Sequence, residues 1–194
     1  MPATKQKNHI PTWMAHVANA AGGLVVLLGL VVMVGWFTDF AFLVQLRPQW
    51  APMQFNTALG FILCGVGLVS LLYNRSRLAV GCAGLSMGIA LLTLLQYSLG
   101  ADFGIDRFLF EPGIVTKTAF PGRMAPVTAM AHLLSGLALM ALAAGPRWLR
   151  MCLLMVRLFG MGVLALGLGN LLGYVVGGET PYGWSHSTYM AAHS

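Results

Sequence analysis

Charged side chains are scarce in this chain. Asp, Glu, Lys and Arg make up 8% of its 194 residues, against about a quarter in a soluble domain. Too little charge is present to build a water-facing shell, so a soluble globular domain is excluded and lipid becomes the main solvent. Acid is scarcer still: the five acidic residues are Asp39, Asp102, Asp106, Glu111 and Glu179, and none lies inside an apolar run. A proton relay or a coupled transporter needs ionisable groups at mid-membrane, which these positions do not supply. The three cysteines, Cys64, Cys82 and Cys152, stand far apart without CxxC spacing, which argues against a disulfide framework or a zinc cluster. There is no GxSxG elbow, phosphate-binding GxxxxGK[ST] loop or HExxH pair, and such motifs are how the common hydrolytic and nucleotide chemistries announce themselves. No enzymatic activity is expected.

What is present is apolar sequence, 58% of all residues. A membrane-spanning helix needs about 20 mostly apolar residues. Five stretches qualify, roughly 14–37, 56–73, 78–99, 125–145 and 152–176. They are continuous rather than alternating, which excludes a transmembrane β-barrel. The expected fold is an all-α polytopic bundle forming one integral-membrane domain over 1–194, with external loops at 38–55, 100–124 and 177–194. Lys5, Lys7, Arg75, Arg77, Arg147 and Arg150 precede the first run or follow the second and fourth, while every acid lies in the other connections. Basic residues mark the cytoplasmic side. The N-terminus is therefore expected inside, in a bacterial inner membrane, and the net charge of +6 reads as a topology signal rather than a nucleic-acid footprint. No small-x-small cleavage site follows the first run, so it reads as an uncleaved anchor.

The chain repeats itself. Met53, Thr57, Ala58, Gly65 and Leu68 recur 71 residues later as Met124, Thr128, Ala129, Gly136 and Leu139. The third and fifth runs end alike, in YSLG (97–100) and YVVG (174–177), and a third Met-x-x-x-Thr/Ser opens at Met190 with Ser194. Repetition of this kind defines a structural unit, here an outgoing helix, an external loop and a returning helix. Thr57 and Thr128 are expected to cap helix starts through their hydroxyls. Gly65 and Gly136 lie two turns deeper, and Gly169, Gly173 and Gly177 form a stripe in the fifth run, where small residues let helices approach. The pattern predicts a sixth span after Ser194.

APMQFNTALGF (51–61), GADFGIDRFLF (100–110), PGRMAPVTAMAHLLSGLAL (121–139) and GYVVGGETPYGW (173–184) together resemble the N-terminal membrane sensor region of bacterial hybrid histidine kinases and diguanylate cyclases. The likeness covers roughly residues 40–194. It implies an input region without catalytic residues of its own, followed in the cytoplasm by PAS, kinase or GGDEF modules. No such output module occurs within these 194 residues.

Two groups of polar residues are candidates for a site. His132, matched in the first repeat by Phe61, lies one turn into a returning helix, and His186 and His193 fall in the last external segment. Together they could ligate a haem, a chlorophyll or a metal ion at the outer rim; the alternative for His132 is a hydrogen bond to a neighbouring helix. The second group is the loop carrying Asp102, Asp106, Arg107 and Arg123, either a binding site for a cation, amine or anion or a solvated loop with internal ion pairs. Trp184 fits an interfacial aromatic belt or a ligand pocket, and Gln96 a hydrogen bond between helices. The function expected is sensory input to a cytoplasmic kinase or cyclase. The rival is an accessory subunit of a membrane complex, holding haem or chlorophyll. The partners expected are membrane lipids and a homodimer or larger membrane complex, with no nucleic acid.

Overall fold

The computed structural model describes residues 11–45, 51–108, 120, 122–144 and 149–175. Every regular element among them is helical: α1 (Thr12–Phe37), α2 (Ala41–Val44), α3 (Phe55–Leu72), α4 (Ser76–Leu99), α5 (Ile105–Phe108), α6 (Pro126–Ala143) and α7 (Leu149–Val175). Five of them are long and apolar enough to cross a membrane. The chain is a multi-pass membrane protein, and the five long helices start and stop within three residues of the runs read from the sequence.

The helix boundaries follow from local chemistry. α6 opens on Pro126, whose missing N–H falls where no intrahelical partner exists. α4 stops because Gly100 takes φ 62, the left-handed turn that ends many helices. Asp39 and Asn74 take similar positive φ values just past α1 and α3. One expectation is corrected. Gln54 and Ala125 occupy the cap positions, so Thr57 and Thr128 are third helical residues, and neither helix has a side-chain cap bond. Both threonines are buried in the bundle, one turn too far along to reach the exposed N–H groups at the start.

Packing distinguishes the helices. α1 packs on α3, α4 on both α3 and α6, and α7 on α6, while α3 also touches α6. α3 and α6 therefore each touch three other long helices, and α1 and α7 one each. Burial follows: 44%, 33% and 28% of the apolar stretches of α3, α4 and α6 are buried, against 17% for α1 and 6% for α7. Close approach depends on glycine. A Cβ at Gly29 of α1 would lie 2.6 Å from the carbonyl oxygen of Ala58, and one at Gly65 of α3 would lie 2.7 Å from that of Gly22.

At the C-terminal end of α1 the core comprises Val32, Trp36, Val44, Met53, Phe55 and Ala58. Trp36 donates its indole N–H to the Met53 carbonyl at 2.9 Å. Trp36→Phe keeps most of the packing but strands that carbonyl, and should cost about 1–2 kcal/mol in unfolding measurements. Trp13→Phe, at a 64% exposed position, should change stability by less than about 0.5 kcal/mol.

Candidate functional site

The starts of α3 and α6 and the end of α4 meet around one carboxylate. Beyond α4, Asp102 accepts a hydrogen bond from the Gly104 N–H at 3.0 Å, a local turn of the type aspartate favours. Gly104 itself has φ 71, and the chain then enters the short α5. This turn carries Asp106 inward until it is 5% exposed. From the other side, Gly122 brings the chain back. It has φ 83, and a Cβ there would meet the Asp106 carbonyl oxygen at 2.8 Å, so glycine alone fits. The next residue is Arg123.

Asp106 gathers three donors. Arg123 Nε donates to Oδ2 at 2.8 Å and Gln96 Nε2 to the same oxygen at 2.9 Å. Asn56 Nδ2 approaches Oδ1 at 3.5 Å. A second, looser shell runs through Asp102, whose Oδ1 lies 3.3 Å from both Arg123 Nη2 and Gln96 Nε2. The Asp102 side chain is 63% exposed, whereas those of Arg123 and Asp106 are each 5% exposed. Aromatic rings complete the enclosure: the guanidinium carbon of Arg123 stands 4.5 Å from the Phe120 centroid and 5.5 Å from that of Tyr97, within cation–π range.

The ion pair is incomplete as a hydrogen-bond network. Among the described residues, Asn56 Oδ1 and Gln96 Oε1 are buried without partners. Amide oxygens without a partner beside the Asp106 carboxylate suit a hydrogen-bond donor: water, an ammonium group or a small cation. Buried polar groups left unpaired are costly, so the cluster is unusual for a purely packed helix end.

The candidate residues divide as follows. Asp102 and Asp106 come together with Arg123 and Gln96. Arg107 lies in α5, and its side chain is outside the described residues, as are Trp184, His186, His193 and Gly177. Asn56 is a member of the cluster that sequence reasoning missed. A signal for it exists: where α3 has Asn56, the second repeat has Val127. Polar residues standing where the repeat is apolar mark a place at which packing does not explain the sequence.

His132 sits elsewhere, between α6 and α3. Its Nδ1 lies 2.9 Å from the Thr128 carbonyl oxygen, and the Thr57 carbonyl of α3 faces the same ring. The imidazole edge covers Gly60 and meets Phe61 edge-to-face at 5.3 Å. The ring thus joins two helices through their backbones. No group of three metal-binding side chains occurs among the described residues. Gly65 and Gly136 contact α1 and α4 respectively, Gly169 is half-buried and Gly173 buried.

No protein-family model matches the chain, and no curated protein or solved structure matches it.

Proposed function

We infer that the chain is the membrane-embedded input region of a bacterial signalling protein. It lies in the cytoplasmic membrane with its N-terminus inside and acts on a cytoplasmic kinase or cyclase module. The observation that carries this reading is the junction at Asp106, where one carboxylate ties the outer loop to Asn56 of α3, Gln96 of α4 and the approach to α6. A change at the outer surface that moves Asp106 reaches three helices at once. Signalling requires two packings that a stimulus distinguishes, and helix interfaces shift between discrete arrangements. The glycine contacts of α3 on α1 and of α6 on α4 suit such shifts.

The pigment-bearing alternative draws less support, because the His132 ring is engaged by backbone carbonyls from two helices. The two readings predict different preparations. Isolated from native membranes with whatever polypeptide it is joined or bound to, the chain should carry ATP-dependent phosphorylation or cyclic-dinucleotide synthesis. Arg123→Gln should change that output by about fivefold or more, the scale of ordinary allosteric coupling. A preparation with neither activity, but with a Soret or near-infrared band that His132→Ala removes, would replace this reading with an accessory subunit.

A further inference from the structure

Between α1 and α7, which are not among the closely packed helix pairs of the described residues, lies an apolar cavity of about 420 Å³ whose floor is α3 and α6. The internal repeat accounts for the residues that face it. In the closed part of the bundle, α6 inserts His132 and Leu139 against Gly60 and Gly67 of α3. Shifted by 71 residues, Gly60 and Gly67 correspond to Ala131 and Ala138, while His132 and Leu139 correspond to Phe61 and Leu68. All four corresponding residues line the cavity. Each half of the α3–α6 contact is thus present a second time at the cavity, which His132 and Leu139 also border.

The outgoing helices repeat the arrangement. Gly65 packs over the Gly22 carbonyl and Val26, and Gly136 over the Ala83 carbonyl and Met87, which sets α1 and α4 in register 61 residues apart (83 − 22). The YSLG and YVVG ends set α4 and α7 in register 77 apart (174 − 97). By that register Gly160 and Gly167 stand on α7 where α4 has Ala83 and Ala90. Both line the cavity, and a Cβ on either would have nothing within 4 Å. On its other side α4 meets α3 through Cys82 and Ser86; the α1 residues in register with these, Ala21 and Val25, also face the cavity.

We propose that the cavity is the seat of a third returning helix of the same polypeptide, contributed by sequence beyond Ser194. It closes three hairpins into a ring. It packs on α7 at Gly160 and on α1 at Ala21 and Val25, inserts bulky side chains at Ala131 and Ala138, and receives Phe61 and Leu68. After Thr57 and Thr128, α3 and α6 carry small residues three and ten positions on, bulky ones four and eleven on, and a glycine eight on; counted from Ser194, the third helix should repeat that spacing. The inference does not depend on the signalling reading.

The test begins with the coding frame beyond codon 194. An open frame with that spacing is expected; a stop codon or a polar continuation overturns the proposal. The full chain is then prepared with Cys64→Ser, Cys82→Ser and Cys152→Ser, adding Gly160→Cys and a cysteine eight residues beyond Ser194. Gly160 has room for the new side chain, so the variant should fold. Oxidation in membranes should give a disulfide within one chain in most molecules, read as a mobility shift of the monomer. Moving the first cysteine to Leu164, which is 61% exposed, should abolish it. A disulfide between two chains would give the cavity to a second copy. Alkylation of Gly160→Cys by a lipid-soluble maleimide as fast as Leu164→Cys would give it to lipid. Either result overturns the proposal.

Discussion

Arg123→Met should lower the unfolding free energy of the protein in mixed micelles by about 3–5 kcal/mol, because it leaves the buried Asp106 carboxylate without its cation. The size of the effect follows from burial on both sides, with each side chain 5% exposed and a 2.8 Å contact between them. Asp102→Asn removes the other, weaker ion pair, and with Asp102 63% exposed it should cost less than about 1 kcal/mol. The double variant Arg123→Met with Asp106→Leu should recover part of the loss, since an apolar pair can replace a buried ion pair at little cost. If Arg123→Met unfolds within about 1 kcal/mol of the wild type, the pair is not desolvated in the membrane-bound protein.

Gly60→Leu should be nearly as damaging, by at least about 3 kcal/mol, because overpacking a filled interface forces side chains off their rotamers. The obstacle is the His132 ring, which any Cβ at Gly60 would meet. That ring cannot easily give way, being held by the Thr128 carbonyl at 2.9 Å and by Phe61. Adding His132→Ala should relieve the clash, and the coupling between the two changes should lie at the upper end of about 0.5–3 kcal/mol for residues in contact. On the same scale Gly81→Ala should be neutral or stabilising: nothing lies within 4 Å of that position, and alanine is favoured over glycine in a helix interior by roughly 0.5–1 kcal/mol. Equal effects at Gly60 and Gly81 would mean that α3 and α6 do not pack as described.

The sequence made some of this visible and hid the rest for physical reasons. The spans were legible because lipid imposes one requirement, length of apolar chain, that is local along the sequence. Gly65 and Gly136 were legible as a repeated pair, although the partner of each, α1 for one and α4 for the other, was not. The Asp106 cluster was only half legible. Its donors lie 10, 17 and 50 residues from Asp106, and no periodicity links a loop aspartate to an amide at the start of another helix. The capping role expected of Thr57 and Thr128 failed for a related reason: a repeated residue type shows that a position matters, not which of its groups is used. In both repeats the threonine carbonyl, not the hydroxyl, meets His132.

The five long helices differ in length according to their direction. α1, α4 and α7 have 26, 24 and 27 residues, and α3 and α6 have 18 each. At about 1.5 Å per residue α1, α4 and α7 measure roughly 36–40 Å and α3 and α6 roughly 27 Å. A hydrocarbon layer about 30 Å thick fits the short helices upright and obliges the long ones to tilt or protrude. Two of the long helices, α1 and α7, are also the least buried, at 17% and 6% of their apolar stretches. Bilayer thinning or thickening therefore acts first on the tilt of the long helices, while α3 and α6 stay matched. The difference is taken up at the glycine contacts between the two sets, which makes membrane thickness a mechanical variable of this bundle.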